Sequence, residues 1–167
     1  MRRLSPRLLF AFALVVSACG GAPYDGARYD DGRVRFSIAA PPAPWSRVSV
    51  DDEANLAWTH RDLAAVVHAH GSCSPSLDIP LQSLTNHLLV GFRNREIVQQ
   101  RRRPFLQREA LDTHVLASLD GVMRELRFVV FKKDECVYDL SVLSRPGESF
   151  ATASAFFDSW IADFSVD

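Results

Sequence analysis

The chain has 167 residues, a length that fits one domain of ordinary size and leaves little room for two, even if a leader of about twenty residues is removed. Its 19 basic and 20 acidic side chains give a net charge of −1, the wrong balance for a protein that grips nucleic acid through its phosphates. Eight glycines, lying mostly in the N-terminal region and in turns, form no loop that would cradle a phosphate or a nucleotide cofactor.

The N-terminus has the three parts of an export signal: Arg2, Arg3 and Arg7, then the apolar run Leu8 to Val16, then Ser17-Ala18 before Cys19. The run is too short to span a bilayer, which takes about twenty residues as a helix. Val16-Ser17-Ala18-Cys19 resembles the lipobox of bacterial lipoproteins. The resemblance implies cleavage before Cys19, a diacylglycerol on its thiol and an acyl chain such as palmitate on its new amine. Leu4-Ser5-Pro6 lacks the apolar residues of a twin-arginine signal, so the general secretory route is expected. By the same resemblance, Gly20 in place of an aspartate implies the outer membrane, with the domain facing the periplasm. Residues 1–18 are thus read as signal peptide and 19–32 as a lipidated flexible tether, rich in Gly, Asp and Ala, reaching about 20 Å. Residues 33–167 are read as a single globular domain. Loss of the leader arginines leaves sixteen basic against twenty acidic side chains, so the mature chain moves further from nucleic acid.

From Val34 the period changes. Val34, Phe36 and Ile38 alternate with polar residues as in a half-buried strand, and Pro41-Pro42-Ala43-Pro44 stops it. Trp45 opens a second extended stretch. Asn55 to His60 and Leu63 to His70, separated by Arg61-Asp62, read as a hairpin. Asp78 reads as a helix cap and Pro80 as a first-turn residue, with Leu81, Leu84, Leu88 and Phe92 at helical spacing, which predicts a helix ending near Asn94. Glu96 to Gln107, Ala110 to Leu119, Val122 to Phe131 and Cys136 to Leu143 form a strand meander, with turns at Asp120-Gly121 and Lys132 to Glu135. Phe150, Ala153, Phe157, Trp160, Ile161 and Phe164 mark a closing amphipathic helix whose aromatic face must pack on the sheet. The fold class is α+β, an antiparallel sheet meander flanked by two main helices, without internal repeats.

This order resembles the PsbP-like α/β/α sandwich, shared by an extrinsic photosystem subunit, a Ran-binding import factor and bacterial lipoproteins of the DcrB type. The residues that carry it are Phe36-Ser37-Ile38 followed by Pro41 to Trp45, and Phe156-Phe157-Asp158-Ser159-Trp160 near the end. The resemblance implies a binding or assembly module with no shared catalytic constellation.

Four groups of residues remain as candidates for chemistry. Once Cys19 carries lipid, Cys73 and Cys136 are left in a disulfide-permissive compartment, and a bond between them is the economical expectation, against two buried free thiols. His68 and His70, two apart on a strand, face one side and would suit Zn or Cu, with His87 and His114 as possible further ligands and His60 near a turn. The plainer reading makes them polar decoration of a solvent face. Arg101-Arg102-Arg103, with Arg93, Arg95 and Arg108, is either a patch for lipid phosphates, lipopolysaccharide or an acidic partner, or an edge strand guarded by charge. Alternation puts Arg102 on the face opposite Arg101 and Arg103. No G-x-S-x-G elbow, H-E-x-x-H or phosphate loop occurs, and Cys73 beside His68 or His70 is the nearest approach to a Cys–His pair. The expectation is a non-enzymatic envelope lipoprotein without cofactor, held to the membrane by Cys19 and binding an unidentified envelope protein. A periplasmic small-ligand or metal carrier is the alternative.

Overall fold

The computed structural model describes residues 23–49 and 55–166. The signal peptide, the lipid site at Cys19 and the tether as far as residue 22 lie outside the described residues. Nine strands occur in the described chain: β1 (Arg28–Asp30), β2 (Arg35–Ser37), β3 (Ser46–Val48), β4 (Asn55–His60), β5 (Ala65–Cys73), β6 (Arg93–Phe105), β7 (Arg108–Leu119), β8 (Val122–Lys133) and β9 (Cys136–Ser144). Two α-helices, α1 (Leu81–Leu88) and α2 (Glu148–Ala162), accompany them. β3 to β9 form one antiparallel sheet in the order β3-β4-β5-β9-β8-β7-β6. The hairpin and the meander expected from periodicity are both present, and β5 pairing with β9 joins them.

Alternation along the strands makes two cores. On one face lie Val67, Ala69, Leu140, Val142 and Phe131, packed against Phe157, Trp160 and Phe164 and against Phe36 and Ile38. On the other, Leu84 and Leu89 pack against Val115, Leu126, Phe128 and Val130. The result is the α/β/α sandwich with α2 on one side and α1 on the other. The aromatic stripe of α2 does face the sheet, and the Trp160 indole N–H also donates to the Ala39 carbonyl at 2.8 Å.

Two local expectations need correction. The first helix is shorter than its apolar spacing suggests. It stops at Leu88, because Leu89 N–H closes onto the Asn86 and His87 carbonyls and Gly91, at φ +92°, turns the chain into β6. Phe92 reaches the second core from that turn. Asp78 does not cap the helix either; its carboxylate takes the Lys132 ammonium at 2.9 Å.

The tether read over 19–32 gives way to folded chain from Tyr24 onward. β1 pairs with β2, Tyr24 and Tyr29 are 5% and 4% exposed, and Tyr29 stacks on Phe36 at 5.1 Å. The Gly/Asp composition that suggests a leash here supplies turns instead. Asp25 accepts the Ala27 and Arg28 N–H groups, Asp31 accepts those of Arg33 and Val34, and Gly26 and Gly32 adopt positive φ. The Tyr24 hydroxyl donates to the Ile38 carbonyl at 2.8 Å, and burial pushes its pKa up to about 12. The globular unit therefore begins before residue 33.

The β1–β2 hairpin sits close on the sheet at Gly71, where a Cβ would stand 2.6 Å from Val34 Cγ1 and 3.1 Å from the Tyr138 ring. Both neighbours are buried, so neither has room to withdraw. Gly71→Ala is expected to cost about 1–3 kcal/mol by overpacking, read from the urea midpoint.

Cys73 and Cys136 are directly opposed in the β5–β9 ladder and are joined by a disulfide. With 63 residues separating them, removal of the bond by Cys73→Ser with Cys136→Ser is expected to cost up to about 4 kcal/mol. Equilibrium unfolding of the double variant beside the oxidised chain measures it, and an unchanged midpoint would count against a stapling role.

Candidate functional site

The candidate residues collect on the two faces of the sheet where the helices leave it uncovered. On the α1 side, β5 places His68 and His70 next to Asp139 of β9, because His70 is the register partner of Asp139. His70 Nδ1 lies 2.7 Å from Asp139 Oδ2 and His68 Nδ1 lies 3.8 Å from Oδ1. The two rings are nearly parallel, 13° apart, with centroids at 6.2 Å. The same-side placement read from the sequence holds, but the imidazoles are half-buried rather than solvent decoration. Burial holds the His68 pKa below its ordinary value, outweighing the attraction of Asp139.

The other histidines do not join this pair. His87 is exposed on α1, and His60 meets Trp45 edge-on at 5.2 Å. His114 is on the opposite face, stacked on Phe150 of α2 at 4.8 Å. Among the described residues, no group of three or more His, Cys, Asp or Glu side chains is placed to hold a metal ion. Cys73, a conceivable third ligand or nucleophile, is in the disulfide, so neither a thiolate ligand nor a Cys–His pair exists in this oxidised state.

On the α2 side, buried Asp112 of β7 accepts Arg127 Nη2 of β8 at 2.8 Å and Arg103 Nε of β6 at 2.9 Å, with Arg101 at 3.8 Å. Burial by itself would raise the Asp112 carboxyl, yet the bonds from Arg127 and the pairing with Arg103 prevail and hold it below the usual range. Arg127 reaches on to Asp158 and Ser154 of α2, tying sheet to helix. Its pKa is raised, chiefly by the bond to Asp112. Beside it, Glu125 bonds His114 Nε2 at 2.8 Å with one oxygen and takes the Gly147 N–H at the start of α2 with the other. These groups border an open cleft of about 530 Å³.

The arginine triplet divides as alternation requires: Arg101 and Arg103 face Asp112, while Arg102 pairs with Glu109 at 2.7 Å. A second cleft, about 620 Å³, lies at the disulfide end of the sheet between Leu77 and Lys132. Asp139, Asp112, Arg127 and Glu125 escaped the sequence reading. The signal that could have found Asp139 and Asp112 is a single charge inside an otherwise uncharged strand segment. Their partners come from other strands, and only the register reveals them.

A three-layer sandwich of this order and register is the PsbP-like fold. Solved structures with it include the cyanobacterial PsbP of Synechocystis sp. PCC 6803, at TM-score 0.59 and 14% identity, covering 91% of this chain and 99% of that one. LpqN, described as involved in cell envelope biogenesis of Mycobacterium tuberculosis, matches at TM-score 0.54 and 13% identity, covering 83% of this chain and 88% of that one. The Saccharomyces cerevisiae Ran-binding protein Mog1p matches at TM-score 0.54 and 8% identity, covering 78% and 89%. No protein-family model and no curated protein sequence matches the chain. Identities this low establish the shared fold alone.

Arg127 answers both Asp112 and Asp158, so its loss strands a buried carboxylate. Arg127→Met is expected to destabilise the domain by about 3 kcal/mol, with Asp158→Asn costing much less because that carboxylate is exposed. Chemical denaturation of the two variants side by side checks the ranking.

Proposed function

We propose that this chain is a non-enzymatic envelope lipoprotein, anchored through Cys19 in the outer membrane, whose PsbP-like domain binds another protein or stabilises an assembly at the membrane surface. The observation that carries the binding-module reading is the state of its polar interior. The His70–Asp139, Asp112–Arg127 and Glu125–His114 groups are engaged with one another, and Cys73 is held in a disulfide. These contacts fasten strands and helix together, and the disulfide withholds the Cys73 thiolate that nucleophilic attack would need. The fold shared with LpqN and with Ran-binding Mog1p supports the same reading by analogy. The lipid anchor and the outer-membrane location rest on residues 16–20.

A periplasmic carrier of a metal or small ligand is the second reading, favoured by one observation: two imidazoles sharing the carboxylate of Asp139, an arrangement that also orients metal-bound histidines elsewhere. Elemental analysis of the freshly purified chain separates the two, since a stoichiometric metal lost in His68→Ala with His70→Ala would move the carrier reading to first place.

Metabolic labelling with palmitate is expected to mark the chain and to fail with Cys19→Ser; an unlabelled parent chain would remove the anchor. Purification in mild detergent from the native host, followed by reciprocal purification from the partner, is expected to recover a stoichiometric envelope protein. Recovery of none across growth stages would defeat the binding-module reading.

A further inference from the structure

We propose that the outer edge of β6 is the docking site for an extended acidic segment of a partner protein, which adds to the sheet as a further strand. This rests on the binding-module reading and says where on the domain the partner sits. The two sides of the sheet end differently: β3 has three residues, whereas β6 has thirteen. Among the described residues, β6 has a strand partner on its β7 side only. An unpaired edge presents a row of backbone donors and acceptors onto which another strand can be laid. The first half of β6 is irregular, with register shifts between Arg93 and Glu96 and between Ile97 and Gln99. From Gln99 the pairing runs unbroken to Phe105, and Pro104 removes a donor near the end. Gln99 to Arg103 is therefore the regular platform.

Charge selects the occupant. β6 carries five arginines and one glutamate in a chain whose net charge is −1. The Arg101 and Arg102 side chains, on opposite faces, are 56% and 69% exposed. Arg101 meets Asp112 only at 3.8 Å, and that carboxylate is already bonded by Arg103 and Arg127. A strand laid beside the platform brings its side chains within about 5 Å of Arg101 and Arg102, a distance at which acidic residues attract and basic ones repel. A second copy of β6 would oppose arginine with arginine, which disfavours self-pairing. The charges that guard this edge against neutral strands are the same charges that admit an acidic one. Ile97 and Val98, 48% and 47% exposed, add apolar contact at the margin of the platform.

The test uses a blocked ten-residue peptide of alternating Glu and Val, fluorescently labelled, and its Lys–Val counterpart. Anisotropy with the purified chain at about 50 mM and about 300 mM salt measures binding, and amide hydrogen exchange locates it. The Glu–Val peptide is expected to bind, more weakly at the higher salt, and to slow exchange within residues 97–105, while the Lys–Val peptide does not bind. R101E/R102E is expected to weaken binding at least about tenfold, since each reversal replaces an attraction by a repulsion. R101K/R102K, which keeps the charge, and R61E, in a distant turn, are expected to retain binding. The inference is overturned if neither peptide binds, if both bind alike, if protection falls outside β6, or if R101K/R102K fails together with R101E/R102E. Phosphatidylglycerol vesicles that bind the parent chain and not R101E/R102E, with the Glu–Val peptide unbound, would overturn it in favour of a lipid surface. The co-purified partner separates the two levels of the argument. A partner retained by R101E/R102E removes the edge site and leaves the binding-module reading intact, whereas no partner for the parent chain removes both.

Discussion

The ladder between β5 and β9 is the pairing on which the rest of the domain depends. It runs from Val66 opposite Leu143 to Cys73 opposite Cys136 and joins the early hairpin to the late meander. Apart, the two halves are a three-stranded sheet, β3-β4-β5, and a four-stranded one, β9-β8-β7-β6. Once joined, Val67 and Ala69 lie beside Leu140 and Val142, and α2 gains a continuous apolar floor across β5, β9 and β8. Closing so long a loop has an entropic cost that only the contacts made afterwards offset. The disulfide at the end of this ladder acts on that same cost by restricting the unfolded chain.

Neither helix covers its whole face, and the uncovered margins are where the charged groups sit. α1, only eight residues long, packs over β7 and β8 and leaves the β5–β9 stretch of its face to His68, His70 and Asp139. α2 lies over β9, β5 and β8 and leaves the β6–β7 margin to Arg101, Arg103 and Asp112. Arg127 crosses from that margin to Asp158 on the helix. Among the described residues, every buried side-chain nitrogen and oxygen has a hydrogen-bond partner. Such networks fix the register of strands and the seat of a helix, because each would leave a buried charge exposed to low dielectric if shifted by one residue.

This division has a functional consequence. A sandwich whose polar interior is closed on itself offers its surroundings edges, clefts and exposed arginines. The fold is shared by a cyanobacterial PsbP, a Ran-binding protein and a protein described as involved in cell envelope biogenesis, so the scaffold leaves the partner open. On that scaffold this chain carries five arginines along one long edge strand, set against an acidic remainder.

Much of the architecture was legible in local pattern. Period-two alternation located the strands of the meander, Asp120-Gly121 marked one of its two-residue turns, and the spacing of Phe150, Ala153, Phe157 and Trp160 announced α2 and its buried face. These are signals between neighbours a few residues apart, where backbone geometry alone sets which side chains share a face. Local composition misled at the N-terminal hairpin, since Gly and Asp serve flexible leashes and tight turns equally, and only the burial of Tyr24 and Tyr29 decides between them. The helix length was likewise settled by Gly91 and not by the apolar repeat. The sequence by itself determined the element order from Val34 onward, the fold class, the same-side placement of His68 and His70 and the economy of a Cys73–Cys136 bond. Tertiary structure alone decided that Asp139 lies under both imidazoles, that His114 belongs to the opposite face, and that Asp112 gathers arginines from two other strands. Those are contacts between residues far apart in the chain, and their geometry comes from strand order and register, which side-chain periodicity does not encode.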